Sequence, residues 1–185
     1  PAGRGARNVE SELQISLEEA ASGAAKAITL SLPAGRYDLG RGAKSEEVRR
    51  LDVRVPAGIG DGQKIRLAGK AAGGGDILLT VRVAPHPTFE RRGDDLVAEV
   101  PVPYTRAALG GEVAVPTLSG GKVTVRLPAG AQSGQSLRIP GQGMPRLKGG
   151  GSGDLFARIG ITVPKTLSER ERALLAELAT LAGSA

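Results

Sequence analysis

The residues of this chain that could carry out chemistry are few and scattered. The only histidine, His86, lies between two prolines, and an imidazole without an orienting partner makes a poor acid–base group. Asp94 and Asp95 are adjacent, but neighbouring side chains of a strand point to opposite faces, so a joint metal site is not expected. Ser119 and Ser133 lie near glycines without the G-x-S-x-G pattern of a nucleophile elbow. We therefore predict that the chain is not an enzyme and that His86 has a loop or surface role.

Two other kinds of site are disfavoured by composition. The chain has no cysteine, which excludes disulfides and thiolate metal sites. The glycine-rich runs GGGD and GGGSGD are not followed by GK[ST], so they are interpreted as hairpin loops and not as phosphate-binding loops. No metal and no cofactor is expected. Because no apolar run approaches about 20 residues, no membrane span is predicted.

The formal net charge of +6 raises the question of nucleic acid. The basic residues are scattered among acids, and no run of Lys and Arg is longer than two. Two Phe and two Tyr are too few for the stacking platforms that bind single strands. A mixed-charge surface is the preferred interpretation, and direct nucleic-acid binding is the minor alternative.

An internal repeat dominates the sequence. VRVPAGIGDGQKIRLAG at 53–69 returns as VRLPAGAQSGQSLRIPG at 125–141, and GD at 75–76 returns as GD at 153–154. The second copy carries six more residues between these two matches. An earlier segment, 17–23, resembles 104–110. Two copies are too few for a solenoid, so the repeat predicts tandem domains.

The elements around the repeat are mostly strands. VRVP and VRLP alternate apolar and polar residues, which predicts a strand that proline then ends. Further alternation and Gly/Pro punctuation predict an all-β chain of two related sandwich-like domains. Two short helical turns are expected at LEEAAS and TRAALG. The other predicted strands lie at 12–17, 27–32, 64–69, 77–83, 95–103, 112–118, 122–127, 136–141 and 155–161.

The C-terminal end predicts a helix of roughly 12–14 residues. Ser168 and Glu171 form the S-x-x-E signature of a capping box. Leucines then follow at helical spacing until Gly183, namely Leu174, Leu175, Leu178 and Leu181. The leucine face either packs on its own domain or contacts another subunit, because so short a helix needs a partner surface.

In this combination the segments resemble the C-terminal substrate-binding region of DnaJ-type (J-domain protein) co-chaperones over about residues 10–182. The ordered marks are LQISLEEAASG, LDVRVPAGIGDGQKIRLAG, HPTFERRGDDL, PVPYTRAALGGEVAVPTLSG, PGQGMP, GDLFARIGITVPK and LSERERALLAEL. The resemblance implies a linker at 1–9, a first β domain at 10–92, a second at 93–166 and a dimerisation helix at 167–182. It also implies cytoplasmic location, unfolded client proteins and a DnaK-type chaperone as partners, and a homodimer.

Two departures from the resemblance qualify it. Many relatives insert a cysteine-rich zinc module into the first domain, whereas residues 31–50 bridge that place here, so the chain resembles the zinc-free subgroup. The J domain with its HPD motif is absent, and HPT at 86–88 is no substitute for it. Because the chain begins with Pro1, we expect a fragment or a processed product.

The resemblance places client binding in a shallow apolar groove between two strands of the first domain. The matching residues are Leu13 and Ile15 on the first strand and Ile28 and Leu30 on the second, with Lys26 as a basic residue at the edge. Period-two spacing puts each pair on one face of its strand. The alternative is that all four apolar residues are core. Extra prolines in the matching segment of the second domain are expected to weaken client binding there.

Two other functions stay open at this point. A tandem β adaptor could bind one defined protein partner through its sheet edges, and a basic β protein could associate with RNA. Binding of several unrelated unfolded proteins would favour the co-chaperone, whereas affinity that falls steeply with salt would favour RNA.

Overall fold

The structure, a computed structural model, describes residues 8–37, 44–71 and 74–183. Its secondary structure is mainly β, as predicted, with three short helices among the described residues. In chain order the elements are β1 (Val9–Ile15), α1 (Leu17–Ser22), β2 (Ala24–Tyr37), β3 (Lys44–Val55), β4 (Lys64–Leu67), β5 (Ile77–Val83), β6 (Phe89–Arg92), β7 (Asp95–Pro103), α2 (Tyr104–Leu109), β8 (Gly111–Pro116), β9 (Lys122–Leu127), β10 (Ser136–Ile139), β11 (Leu155–Thr162) and α3 (Glu169–Ala182).

The two halves of the chain have the same strand pairing. In the first unit, defined here as β1–β5 with α1, β1 pairs in parallel with β5, and β4 pairs antiparallel with β5. In the second unit, defined as β6–β11 with α2, β7 pairs in parallel with β11, and β10 pairs antiparallel with β11. Each unit adds an antiparallel hairpin, β2–β3 or β8–β9. The two copies of the sequence repeat therefore form units with the same strand topology.

The repeated phrase forms the same turn twice. Its first strand ends just before the proline, at Val55 and at Leu127, as predicted. The amide of Gly62 donates to Val81 O at 2.8 Å, and the amide of Gly134 donates to Ile159 O at the same distance. Both glycines have positive φ, 76° and 85°, a conformation that costs glycine little. The glycines at this point of the phrase are therefore required by the turn.

An aspartate closes the loop before the last strand of each unit. Asp76 accepts from the Gly69 amide at 2.9 Å and from the Arg66 guanidinium at 2.6 Å. Asp154 accepts from the Gly141 amide at 3.0 Å and from the guanidinium of Arg138 at 2.6 Å. In both cases the backbone amide, and then the arginine, lowers the pKa of the carboxyl group because the hydrogen bonds favour its charged form.

The three helices lie where the sequence predicts them. The N-cap of α3 is Ser168, whose hydroxyl accepts from the Glu171 amide while Glu171 accepts from the Ser168 amide, so the predicted capping box is confirmed. No residue of α3 is buried. Leu174, Leu178 and Leu181 are 55%, 56% and 69% exposed, and Leu175 is half-buried. The leucine face of α3 is thus largely uncovered.

Some features differ from the sequence-based predictions. β3 starts at Lys44, inside residues 31–50, which the resemblance identifies as the bridge that replaces the zinc module; residues 38–43 lie outside the described residues. β6 was not predicted, because ERRGDD reads as a charged turn; it pairs with β7 across the turn at Gly93. The predicted boundary after residue 92 therefore falls within a hairpin of the second unit. Most of the predicted linker at 1–9 lies outside the described residues.

Candidate functional site

The side chains that might have carried out chemistry have structural partners. His86 Nδ1 accepts from the backbone amides of Thr88 and Phe89, both at 3.1 Å, and its Nε2 lies 3.1 Å from Glu18 of α1. Both ring nitrogens are therefore engaged, and the imidazole joins the loop after β5 to α1. The arrangement matches the loop role that the sequence predicts.

The two adjacent aspartates bind different partners. Asp95 accepts from the Asp154 amide at 2.8 Å, whereas Asp94 is exposed and lies 3.7 Å from Arg146. Across the described residues there is no group of three or more His, Asp or Glu side chains placed to hold a metal ion. No helix within the same ranges has the length and apolar character to cross a bilayer.

The proposed groove lies where two strands each have an unpaired edge. β1 is the outer strand of the order β1-β5-β4, and β2 pairs only with β3 among the described strands. Val9 donates to Asp76 O and Ile15 accepts from Ala84 N, so the odd-numbered residues of β1 direct their backbone groups toward β5. Because successive backbone groups alternate along a strand, the groups of Glu12 and Gln14 face the open edge.

The five predicted site residues divide into two sets by burial. Leu13 and Ile15 are 3% and 1% exposed and lie in the core of the first unit. They present almost no area to a ligand in this structure, which corresponds to the alternative interpretation considered for them. Ile28 and Leu30 are half-buried and pack against the edge of that core. Of the four apolar residues, only those on β2 offer an accessible apolar surface.

Lys26 of β2 is hydrogen-bonded to β1 and to α1. Its Nζ donates to the Gln14 carbonyl oxygen on β1 at 3.0 Å and to Glu19 of α1 at 3.1 Å. Glu19 also accepts from the Ser16 amide at 2.8 Å, and this bond, followed by the one from Lys26, lowers the pKa of Glu19. The ammonium group therefore lies at the open edge of β1, with its charge matched by one carboxylate.

Glu19 and Gln14 both contact Lys26, and neither residue is among those predicted from the sequence. Ser16 and Glu19 form a capping box at the start of α1, because each accepts a hydrogen bond from the backbone amide of the other. The S-x-x-E pattern at 16–19 would have shown this cap. No sequence signal indicates that Lys26 reaches Gln14, since twelve residues separate them and their contact depends on the placement of two strands.

The second unit provides an internal comparison for the groove. Ile28 pairs with Leu51 in β2–β3, and Val115 pairs with Val123 in β8–β9. The partners Leu51 and Val123 differ by 123 − 51 = 72, the repeat offset, so Ile28 and Val115 occupy equivalent positions. Val115 is 0% exposed, whereas Ile28 is half-buried. The equivalents of Lys26 and Leu30, Val113 and Thr117, are buried as well. This face is open in the first unit and closed in the second.

Comparison with known proteins identifies the family. Residues 9–164 match the family described as "DnaJ C terminal domain". The chain belongs to this family.

Curated relatives agree with the assignment to the DnaJ C-terminal domain family. The chain is 47% identical to the chaperone protein DnaJ of Deinococcus proteolyticus over 176 residues, which cover 95% of this chain and 51% of that protein. It is 45% identical to the chaperone protein DnaJ of Dinoroseobacter shibae over 144 residues, covering 74% and 38%. The corresponding protein of Caldicellulosiruptor saccharolyticus is 47% identical over 133 residues, covering 69% and 34%. The chain thus spans about half or less of the length of these relatives.

The DnaJ C-terminal domain match contains both units and both hairpins. It ends at residue 164, before α3 begins at Glu169. The DnaJ chaperones are a non-enzymatic co-chaperone family. The five residues predicted to bind clients lie inside the matched region.

Proposed function

We propose that this chain binds unfolded or misfolded polypeptides in the groove between β1 and β2 of the first unit and that the complete protein delivers them to a DnaK-type chaperone. The observation that carries the proposal is the half-open face of Ile28 and Leu30, at positions that are buried in the second unit. A surface that is closed in one copy of a repeat and open in the other needs a reason other than the fold of the unit.

A client would bind as an added strand. The open edge of β1 offers the backbone groups of Glu12 and the Gln14 amide, and hydrogen bonds to the main chain are indifferent to the sequence of the client. The apolar side chains of the client would cover Ile28 and Leu30. Leu13 and Ile15 support the groove from the core, and Lys26 orients the edge by its bond to the Gln14 carbonyl. Lys26 is also our candidate for a contact with the tail of DnaK.

The second unit should bind clients less well. Its positions equivalent to Lys26, Ile28 and Leu30 are 8%, 0% and 6% exposed, which leaves little apolar surface to contribute. We propose that the two units are separate domains, divided ahead of Phe89, and that the protein acts in the cytoplasm.

Dimerisation is the second part of the proposal. The leucine face of α3 is exposed, and an isolated helix of 14 residues is marginally stable without a partner surface. A second copy of α3 offers the same apolar face. Two grooves in one dimer would raise the avidity for a client that spans both by roughly 10²–10⁴.

The test is an NMR titration of the ¹⁵N-labelled chain with an unlabelled, chemically unfolded protein. We expect shifts in the amides of Glu12, Gln14 and residues 26–30, with much smaller shifts at 113–117. Several unrelated unfolded proteins should bind with similar affinity, and moderate salt should change it little. A response to one native protein only would favour the adaptor, and a steep loss of affinity with salt would favour RNA.

A further inference from the structure

The two units touch each other through a loop that belongs to the repeat. The joint loop, defined as residues 56–60, contains Gly58 with a φ of 85°. A Cβ atom on Gly58 would collide with the Pro145 carbonyl oxygen and lie 2.8 Å from Leu147 N. The close approach of these two backbones is possible only because residue 58 has no side chain.

The other side of this contact is the extra sequence of the second copy. The insertion loop, defined as residues 142–153, holds the six residues that the first copy lacks. It is fixed to the second unit, since the Met144 amide donates to Asp94 O at 2.8 Å and the side chain of Met144 is fully buried. The Arg146 amide donates to Gly151 O at 3.0 Å and closes the loop. The first unit therefore contacts a loop that is held in place by hydrogen bonds and a buried side chain of the second unit.

Arg91 of β6 crosses the same boundary. Its guanidinium donates from Nη1 to Ile59 O at 2.5 Å and from Nη2 to Gly58 O at 3.0 Å, both in the joint loop. Its Nε donates to Gly93 O at 2.8 Å within the second unit. A planar guanidinium presents these donors in a fixed geometry, so the three bonds define one orientation of the joint loop relative to β6.

The same loop in the second copy makes no such contact. Gly130 stands at the position of Gly58, also with positive φ, at 77°. A Cβ atom on Gly130 would meet nothing within 4 Å. Both copies thus have a glycine at this point of the turn. Of the two, only Gly58 packs closely against the other unit.

We propose that the insertion loop and Arg91 lock the two units in one relative orientation, with Gly58 as the residue that permits the lock to close. The spacing between the open face of the first unit and the second unit is then a fixed property of the chain. This inference does not depend on what the first unit binds.

The test measures the distance between the units in the full chain. The chain has no cysteine, so Thr29→Cys in β2 and Thr124→Cys in β9, both exposed, provide two unique sites for nitroxide labels and pulsed EPR. Excess unlabelled chain suppresses distances between the subunits of any dimer. The parent chain should give one narrow distance distribution.

Gly58→Ala should broaden or shift this distribution, and Gly130→Ala should leave it unchanged. The two substitutions impose a similar backbone strain, so they differ in the contact between the units. Arg91→Lys, which cannot reach all three carbonyls, should also broaden the distribution, whereas Arg92→Lys should not, since Arg92 pairs only with Glu90 among its described contacts. A broad parent distribution, unchanged distances in Gly58→Ala and Arg91→Lys, or an equal change in Gly130→Ala would overturn the proposal. If Gly58→Ala fails to fold, the arginine pair decides.

Discussion

Substituting an aspartate at two equivalent positions of the repeat distinguishes an accessible surface position from a core position. The substitutions are Ile28→Asp in the first unit and Val115→Asp in the second. Full burial of an aliphatic side chain contributes about 1.5–3 kcal/mol. Because Ile28 is only half-buried and an aspartate there stays partly hydrated, we expect Ile28→Asp to lower the free energy of unfolding by about 1–1.5 kcal/mol.

Val115→Asp should be far more destabilising. Val115 is 0% exposed, so the substitution removes nearly all of the burial term and places an unpaired carboxylate in the core, which costs several kcal/mol more. The sum exceeds about 4 kcal/mol, a large part of the 5–15 kcal/mol that stabilises a typical domain. We expect the second unit of this variant to be unfolded or to melt far below the parent chain.

The assay combines thermal unfolding with suppression of the aggregation of an unfolded protein. In Ile28→Asp the melting temperature should fall by a few degrees, but a client side chain would have to desolvate the new carboxylate. At about 2 kcal/mol or more, this cost weakens client binding at least roughly thirtyfold. Thr29→Asp adds the same charge on the opposite, exposed face of β2 and should keep full activity. If Ile28→Asp melts as low as Val115→Asp, or still suppresses aggregation, the groove assignment fails.

Two further predictions concern the dimer and the response to acid. Replacing Leu174 and Leu178 by Lys, or removing residues 168–185, should convert a dimer into a monomer, as measured by light scattering. Both β units should stay folded, because no residue of α3 is buried in its own chain. Equal masses of the parent chain and the variants would show that α3 is not the dimer contact. The folded pKa values of Asp76 and Asp154 are lowered, so their contribution to stability is present above the ordinary aspartate pKa of about 3.9 and is lost as the pH falls through the folded values. Asp154→Asn should therefore melt below the parent chain at pH 7, with a gap that closes toward pH 2, and a gap that is independent of pH would contradict this account.

Local patterns predicted most elements of the fold. β5, β7 and β9 have the predicted bounds, and the capping box at Ser168 marks the start of α3. Alternation, proline, glycine and cap residues act over a few neighbouring positions, so they can be read without knowledge of the tertiary structure. The repeat could also be recognised in the sequence, because equivalent turns need the same glycines and the same aspartate. β6 escaped prediction because its four residues are mostly charged and gain their order by pairing with β7.

The amino-acid sequence named the residues of the candidate groove, but only the tertiary structure decided which of them are accessible. The alternation of side chains along a strand puts Leu13 and Ile15 on one face of β1, and Ile28 and Leu30 on one face of β2. This alternation does not indicate which face of each strand is covered. Burial depends on what packs above a strand, and this depends on residues far apart in the chain, as the bond from Lys26 to Gln14 shows. The same holds for Gly58 and Gly130, which the repeat makes equivalent. The placement of the second unit gives Gly58 a neighbour across the joint and leaves Gly130 with open space.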